Sequence, residues 1–213
     1  LYLAANRYIS YSIMSQRPET LNPSYRDTAV KDQIVNIPYS AIRYFPGFSE
    51  PNYLLVAGLD LDLKDKEMEV NAYLGAGQNI YASQANLYVA MSQFLTGSKP
   101  VAQGNQPEGQ PSTAVAPLDN TALYKFALDQ GNSKYAGKGE VPGRILNQFA
   151  MDEYKSYFRI ATTQGQIWRN DEQTSKNNVY ILDQNLKITG RIEGIAPGER
   201  IYSTRFMGDR AYM

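Results

Sequence analysis

The sequence contains neither cysteine nor histidine among its 213 residues. Without cysteine, disulfides, thiolate nucleophiles and cysteine-ligated metals are excluded in this stretch. Without histidine, the chain lacks the commonest general base, the usual partner of a nucleophilic serine and the commonest imidazole metal ligand. Any hydrolytic mechanism would therefore depend on carboxylates, lysine or tyrosine alone. The sequence predicts no catalytic residue, no metal site and no cofactor.

Net charge and long hydrophobic runs are also missing. Lysine plus arginine and aspartate plus glutamate number 21 each, so no net charge attracts nucleic acid. No run approaches the roughly 18 apolar residues of a membrane-spanning helix, and no signal peptide is recognisable. The sequence begins LYLAANRY and ends RAYM, each inside a strand-like run. We therefore expect a piece cut from a longer chain, with any targeting signal outside it.

What the sequence does contain favours β-structure. Tyrosine occurs 17 times, against 7 phenylalanines and 1 tryptophan, and tyrosine suits half-buried strand positions. Short alternating runs bounded by turn residues recur along the chain, which is the pattern of strands. The expected fold class is therefore all-β.

One strand-like segment recurs. LYLAANRY at the start resembles LYVAMSQF further on, and weaker copies place Tyr2, Tyr88, Phe158 and Tyr212 at equivalent positions. Recurrence of short strands in this way is typical of the four-stranded antiparallel blades of a β-propeller. We predict a single propeller fragment over residues 1–213 with blades at about 53–95, 119–163 and 177–213, and with residues 1–52 forming a partial blade plus an insertion. About three blades cannot close a ring, so exposed edges are expected to be capped, completed or used in self-association.

Residues 96–118 differ from the rest of the chain. They are rich in Gly, Pro, Gln, Ser and Ala, with GNQPEGQPSTAVAP at the centre. Such a segment buries too little apolar surface to offset its ordering entropy, which predicts a mobile loop. A linker between two domains is the rival interpretation. The loop is preferred because the strand pattern resumes at Thr121 in the same style.

Several segments resemble a known family. They are NIYASQANLYVA, TALYKFAL, GEVPGRILNQFAMDEYKSYFRIATT and NNVYILDQNLKITGRIEGIAPGERIYSTRFMGDRAYM. Their order is similar to that in secreted bacterial and archaeal proteins with a C-terminal β-propeller domain. The resemblance implies a propeller fold and an extracytoplasmic location. It implies no activity, because that family has no established biochemical function.

Polar residues within the strand regions are the candidates for ligand binding. Propeller channels often bind ligands, and the innermost strands line them. The candidates for that lining are Asn147, Gln148, Arg159, Glu199 and Arg205, with Arg200 beside them. Arg159 and Arg205 could bind a carboxylate or a phosphate. The competing interpretation, which we favour, is that these arginines pair with Glu or with backbone carbonyls between blades.

Two acidic groups are better explained as turns. Asp60, Asp62, Asp65 and Glu67 lack the glycine and the ligand spacing of a calcium loop. Asp152 and Glu153 are adjacent, so their side chains point apart, and we expect a solvated hairpin tip. The sequence therefore favours a non-enzymatic scaffold that binds an unknown ligand or protein, and the family resemblance implies that scaffold and ligand are extracytoplasmic. Open alternatives are a propeller-type enzyme using carboxylates and arginines in the channel, a sugar-binding site on exposed tyrosines, and a purely structural module.

Overall fold

Strands dominate the structure, a computed structural model that describes residues 1–9, 21–28, 31–44, 52–63, 66–75, 77, 79–95 and 118–213. Within these residues there is no α-helix, and two short 3-10 turns lie at Tyr39–Ala41 and Gln148–Ala150. The strands are β1 (Tyr2–Arg7), β2 (Ser24–Asp27), β3 (Lys31–Asn36), β4 (Ile42–Tyr44), β5 (Tyr53–Gly58), β6 (Glu69–Leu74), β7 (Asn79–Ala82), β8 (Asn86–Leu95), β9 (Leu118–Asp129), β10 (Asn132–Pro142), β11 (Met151–Tyr154), β12 (Tyr157–Gln164), β13 (Lys176–Leu182), β14 (Ile188–Ile195), β15 (Arg205–Met207) and β16 (Arg210–Tyr212).

The strands form three four-stranded sheets and two hairpins. The sheet orders are β1-β5-β6-β4, β10-β9-β8-β7 and β11-β12-β13-β14, and the hairpins are β2-β3 and β15-β16. The predicted all-β class with propeller-type four-stranded sheets is confirmed. One detail differs from the expected antiparallel pattern, because β4 pairs with β6 in the parallel sense. Residues 96–117 of the predicted mobile loop lie outside the described residues, and Leu118 begins β9.

The sheets divide the strands differently from the predicted blades. The segment 53–95 was expected to be one blade, yet its first two strands belong to the first sheet and its last two to the second. The same offset of two strands applies to 119–163 and 177–213. The strand repeat itself is visible, because Tyr88 in β8 and Phe158 in β12 both lie in the strand of their sheet that is second in chain order. At these two copies the aromatic side chain is buried, whereas Tyr212 of the last copy is exposed.

The described residues cluster into two compact units. The first comprises Leu1–Met91 and Tyr124–Lys138, and the second comprises Ser92–Leu123 and Gly139–Met213. In the first unit the rings of Tyr73 and Phe126 meet edge to face, with centroids 5.1 Å apart. Such a contact stabilises the fold by more than the burial of the two rings alone would. In the second unit β12 and β13 supply the buried apolar side chains Phe158, Ile160, Ala161, Val179, Tyr180 and Leu182.

Tight turns join the strands of the hairpins. Gln130 and Gly131, between β9 and β10, both have positive φ (42° and 83°), as a type I′ turn requires. Lys155 and Ser156 form the same kind of turn between β11 and β12, with φ of 50° and 66°. A two-residue turn holds the flanking strands antiparallel and in one register. The turn at Lys155 therefore sets Asp152 of β11 opposite Arg159 of β12.

Candidate functional site

A groove in the second unit is lined by residues from three chain segments. They are residues 144–146, residues 163–168 and residues 200–201, and they enclose a cavity of about 290 Å³ that opens to solvent. The lining residues are Arg144, Ile145, Leu146, Thr163, Gly165, Gln166, Ile167, Trp168, Arg200 and Ile201.

Hydrogen bonds centred on Thr163 hold the three segments together. Arg144 and Thr163 exchange two backbone bonds, of 2.8 Å from Arg144 N to Thr163 O and 2.9 Å from Thr163 N to Arg144 O. The Thr163 hydroxyl donates to Asn177 Oδ1 at 2.8 Å and accepts from Ile201 N at 3.2 Å. Asn177 is only 5% exposed, and its amide nitrogen lies 3.2 Å from Ile195 O. Because buried polar groups are costly to leave unpaired, this network fixes the floor of the groove.

The groove has an apolar floor and an aromatic rim. Ile145 and Ile201 are buried beneath it, whereas Leu146 and Ile167 are half exposed at its edge. Trp168 is the only tryptophan of the chain, and 77% of its surface is exposed. A large aromatic ring left this open to water is unusual for a side chain that gains so much free energy from burial. The exposed ring beside an apolar floor is typical of a surface that binds a ligand.

The loop that carries Trp168 is tied down on both sides. Gln166 N donates to Gln173 O at 2.9 Å, and Ser175 N donates to Gln166 O at 3.1 Å. Gly165 has φ +83°, and a Cβ built there would lie 2.6 Å from Gln173 O, so this approach requires glycine. The loop is therefore ordered by its own backbone.

An exposed ion pair follows Trp168 in the same loop. Arg169 Nε lies 2.9 Å and 3.0 Å from the two carboxylate oxygens of Asp171. Gln173 N donates to Asp171 Oδ1 at 2.9 Å. The guanidinium hydrogen bond, with that from Gln173 N second, lowers the pKa of Asp171 to about 2. The carboxylate stays charged at neutral pH, so these bonds persist there.

Two guanidinium groups lie in the lining with different partners. Arg144 Nε is 3.2 Å from Asp119 Oδ2, and the arginine side chain is 45% exposed. Arg200 stacks on the ring of Tyr202, with Cζ 4.9 Å from the ring centroid. No carboxylate is among the described residues that line the cavity. The groove therefore combines an aromatic surface with positive charge.

Arg159, a predicted channel residue, is buried in a structural cluster. Its Nε donates to Asp152 Oδ2 at 3.0 Å, a second nitrogen binds the same oxygen, and Nη1 donates to Gly208 O at 2.7 Å. Its Cζ lies 4.8 Å from the ring centroid of Tyr154 and 5.0 Å from that of Phe206. These contacts match the structural interpretation weighed against ligand binding. They also correct the prediction for Asp152, which belongs to β11 and binds Arg159 rather than forming a solvated tip.

The other four predicted residues occupy turns and an outer hairpin. Asn147 accepts from Phe149 N at 3.0 Å and so caps the 3-10 turn that begins at the exposed Gln148. Arg205 is exposed at the start of β15, which packs beside that turn. Glu199 is exposed in the turn after β14, and its backbone N donates to Ala196 O at 3.1 Å. None of these five residues is in the groove lining, whereas Arg200, named beside them, is; a ligand role for the five stays a prediction.

Sequence reasoning missed Trp168 and Arg144. One signal was available for Trp168, because it is the sole tryptophan and stands in the polar stretch after β12. Arg144 follows Pro142 and Gly143, a pattern that indicates a turn. Nothing in the sequence places it in one cavity with Trp168, because the bridge between Arg144 and Thr163 brings the two segments together only in the fold.

The described residues contain no cluster of three or more His, Cys, Asp or Glu side chains placed to hold a metal. At the acidic stretch after β5, Asp62 N donates to Asp60 Oδ1 at 3.1 Å, while Asp65 lies outside the described residues.

None of the described segments forms a helix long and apolar enough to cross a membrane.

Comparison with known proteins gives one family and two archaeal relatives. The sequence profile described as "Beta propeller domain" matches residues 1–213. An uncharacterised protein of Methanocaldococcus jannaschii is 50% identical over 97 residues, which are 45% of this chain and 15% of that protein. An uncharacterised protein of Archaeoglobus fulgidus is 38% identical over 96 residues, 45% of this chain and 14% of that protein. The matched parts are thus a small fraction of both relatives. No solved structure matches significantly.

Proposed function

The chain belongs to the beta propeller domain family, and on this premise we propose that it is a non-enzymatic domain that binds a small extracellular ligand in the groove around Trp168. Members of one fold carry unrelated activities, so the proposal rests on the site rather than on the family. The observation that carries it is the exposed Trp168 ring, set beside an apolar floor and two arginines.

The geometry suits recognition by a preformed surface. The floor is held by the Thr163–Asn177 network, and the Trp168 loop is held by its backbone bonds and by the Arg169–Asp171 pair. A surface that is ordered before binding loses little conformational entropy when the ligand arrives. This supports a scaffold that presents a rigid groove.

An enzyme that uses arginine and carboxylate groups was the alternative. One such pair is Arg159 with Asp152; the two are bound to each other, and Arg159 also donates to Gly208 O between β15 and β16. An acid–base carboxylate must be free to exchange protons with a substrate. This engagement favours the binding function over the enzymatic one.

Location and assembly complete the proposal. We place the domain outside the cytoplasm, on the resemblance to secreted proteins, and the ligand is correspondingly an extracellular one. Fractionation of cells that produce the full-length protein tests the location, and recovery in the cytosol would contradict it.

Self-association through exposed sheet edges is tested by light scattering during size-exclusion chromatography, in which a monomer at all concentrations argues against it.

Ligand binding is tested with the intrinsic fluorescence of the chain, because its single tryptophan reports on the groove alone. The 213-residue chain is titrated with neutral sugars, acidic sugars and short peptides, and hits are repeated by calorimetry. We expect at least one class to shift the emission saturably and Trp168→Ala to abolish the heat signal. Tyr157→Ala removes another exposed ring outside the groove and should leave binding unchanged. A panel without any saturable binder would refute the proposal.

A further inference from the structure

The charges of the groove select the sign of its ligand. Arg144 and Arg200 both line the cavity, and its described lining contains no aspartate or glutamate. Arg144 is paired with Asp119, which is not in that lining, so within the described lining Arg200 carries the charge without a carboxylate partner. Among the described residues, Arg200 has a ring contact with Tyr202 and no ion pair with a carboxylate. A guanidinium offers a fork of donors that matches the two oxygens of a carboxylate. A ligand with a carboxylate therefore meets a partner that the protein itself does not occupy.

The apolar part of the groove selects the shape. Trp168 presents an exposed flat ring, with Ile167 and Leu146 beside it. Such a ring attracts the C–H face of a pyranose, whose carbon-bound hydrogens carry a small positive charge and complement the negative face of the indole. The hydroxyls of a sugar also need donors and acceptors, and the side-chain amide of Gln166 in the lining offers both.

The size of the groove limits the length of what enters it. Its volume of about 290 Å³ is at the lower end of the roughly 300–1,000 Å³ usual for small-molecule sites. One sugar ring with its substituents suits this volume better than a folded protein surface does. A longer glycan would place one unit in the groove and extend into solvent through the open side.

From these three features we infer that the groove binds a carboxylate-bearing pyranose, a uronic acid unit, with Trp168 under the ring and Arg200 and Arg144 at the carboxylate. The inference rests on the proposed ligand-binding function and names the ligand class of that same site. A neutral sugar would satisfy the aromatic face and leave Arg200 without a charged partner, so it binds more weakly.

The test compares two sugars that differ in one group, methyl β-glucuronide and methyl β-glucoside, titrated against the 213-residue chain. The readouts are Trp168 fluorescence and the NMR shift of its indole N–H. We expect the glucuronide to bind at least about tenfold more tightly, because hydrogen bonds to an ionised group are roughly twice as strong as neutral ones. Raising the salt concentration should narrow the difference, since exposed charges are screened.

Variants identify the arginines that produce the preference for the charged sugar. Arg200→Gln should weaken glucuronide binding about tenfold and glucoside binding far less, because only the glucuronide presents a charged group to the guanidinium. Arg144→Gln should act in the same direction. Arg210→Gln removes an exposed arginine outside the groove and serves as the matched control, with no expected change.

Equal affinity for the two sugars, or equal loss of both in Arg200→Gln, would overturn the inference. Binding of benzoate as tight as that of the glucuronide would also overturn it, because the ring and carboxylate would then suffice without the sugar. Saturable binding of another class of the panel, with no response to the glucuronide, would leave the ligand-binding function standing and refute only the sugar assignment. No response to any member of the panel would refute both.

Discussion

Replacing Arg159 with methionine should destabilise the second unit markedly. The guanidinium holds the carboxylate of Asp152 in β11, the carbonyl of Gly208 between β15 and β16, and the rings of Tyr154 and Phe206. Methionine preserves most of the apolar stem while removing the charge and every donor. The substitution therefore leaves Asp152 without its ion-pair partner and Gly208 O without its donor.

The magnitude follows from burial. Breaking a fully buried ion pair by removing one partner costs about 3–5 kcal/mol. Here the side chains of Arg159 and Asp152 are 10% and 22% exposed, so water relieves part of the cost. We expect a loss of about 2–4 kcal/mol in the free energy of unfolding, after this reduction from the fully buried range. For a chain of this size that lowers the melting temperature by on the order of 10 °C.

The assay is chemical unfolding followed by circular dichroism, combined with amide hydrogen exchange over residues 205–212. Exchange there should accelerate, because the bond from Arg159 to Gly208 O ties the β15-β16 hairpin to β12. Arg191→Gln breaks an exposed pair with Glu193 and should change stability little.

A double-mutant cycle gives the refuting result. Asp152→Asn combined with Arg159→Met should cost less than the sum of the two single changes, because either one already breaks the pair. Additive effects, or a loss in Arg159→Met no larger than in Arg191→Gln, would show that the cluster does not stabilise the fold.

Two further predictions concern the loop that carries Trp168. Gly165→Ala should destabilise the protein more than Gly198→Ala. Both glycines have positive φ, which costs a non-glycine residue about 1–2 kcal/mol, but only at Gly165 would the added Cβ collide with backbone atoms. Equal losses of stability in thermal unfolding would refute this. Arg169→Gln should return the pKa of Asp171 from about 2 toward 3.8, measured by carboxyl NMR. Because the pKa of Asp171 is lower in the folded than in the unfolded state, the ion pair stabilises the loop above about pH 4, and this stabilisation is lost as the pH falls through 2. If the pKa of Asp171 did not change in Arg169→Gln, Arg169 would not be the cause of the lowered value.

The sequence anticipated the surroundings of one candidate residue but not the groove, for reasons visible at single residues. Arg159 was singled out as a buried polar residue in a strand, and the favoured structural interpretation matches its contacts with Asp152 and Gly208. The groove was not foreseen. Its side chains come from segments far apart in sequence, such as Arg144 and Arg200, and no local pattern marks residues that meet only through folding.

The sequence by itself determined the class of fold and most of the strands. Alternating polarity, turn residues and the copies around Tyr2, Tyr88, Phe158 and Tyr212 are local properties, and strand formation responds to local properties. The absence of histidine and cysteine also narrowed the chemistry that the side chains of this chain can perform.

Only the tertiary structure decided which strands share a sheet and where a ligand can bind. A hairpin within a sheet and a connection between two sheets look alike in sequence, so the predicted blades were offset by two strands from the observed sheets. Pairing is settled by hydrogen bonds between strands and by the burial of their faces, which depend on the whole chain. The same long-range pairing places Arg144 against Thr163 and so creates the groove beside Trp168.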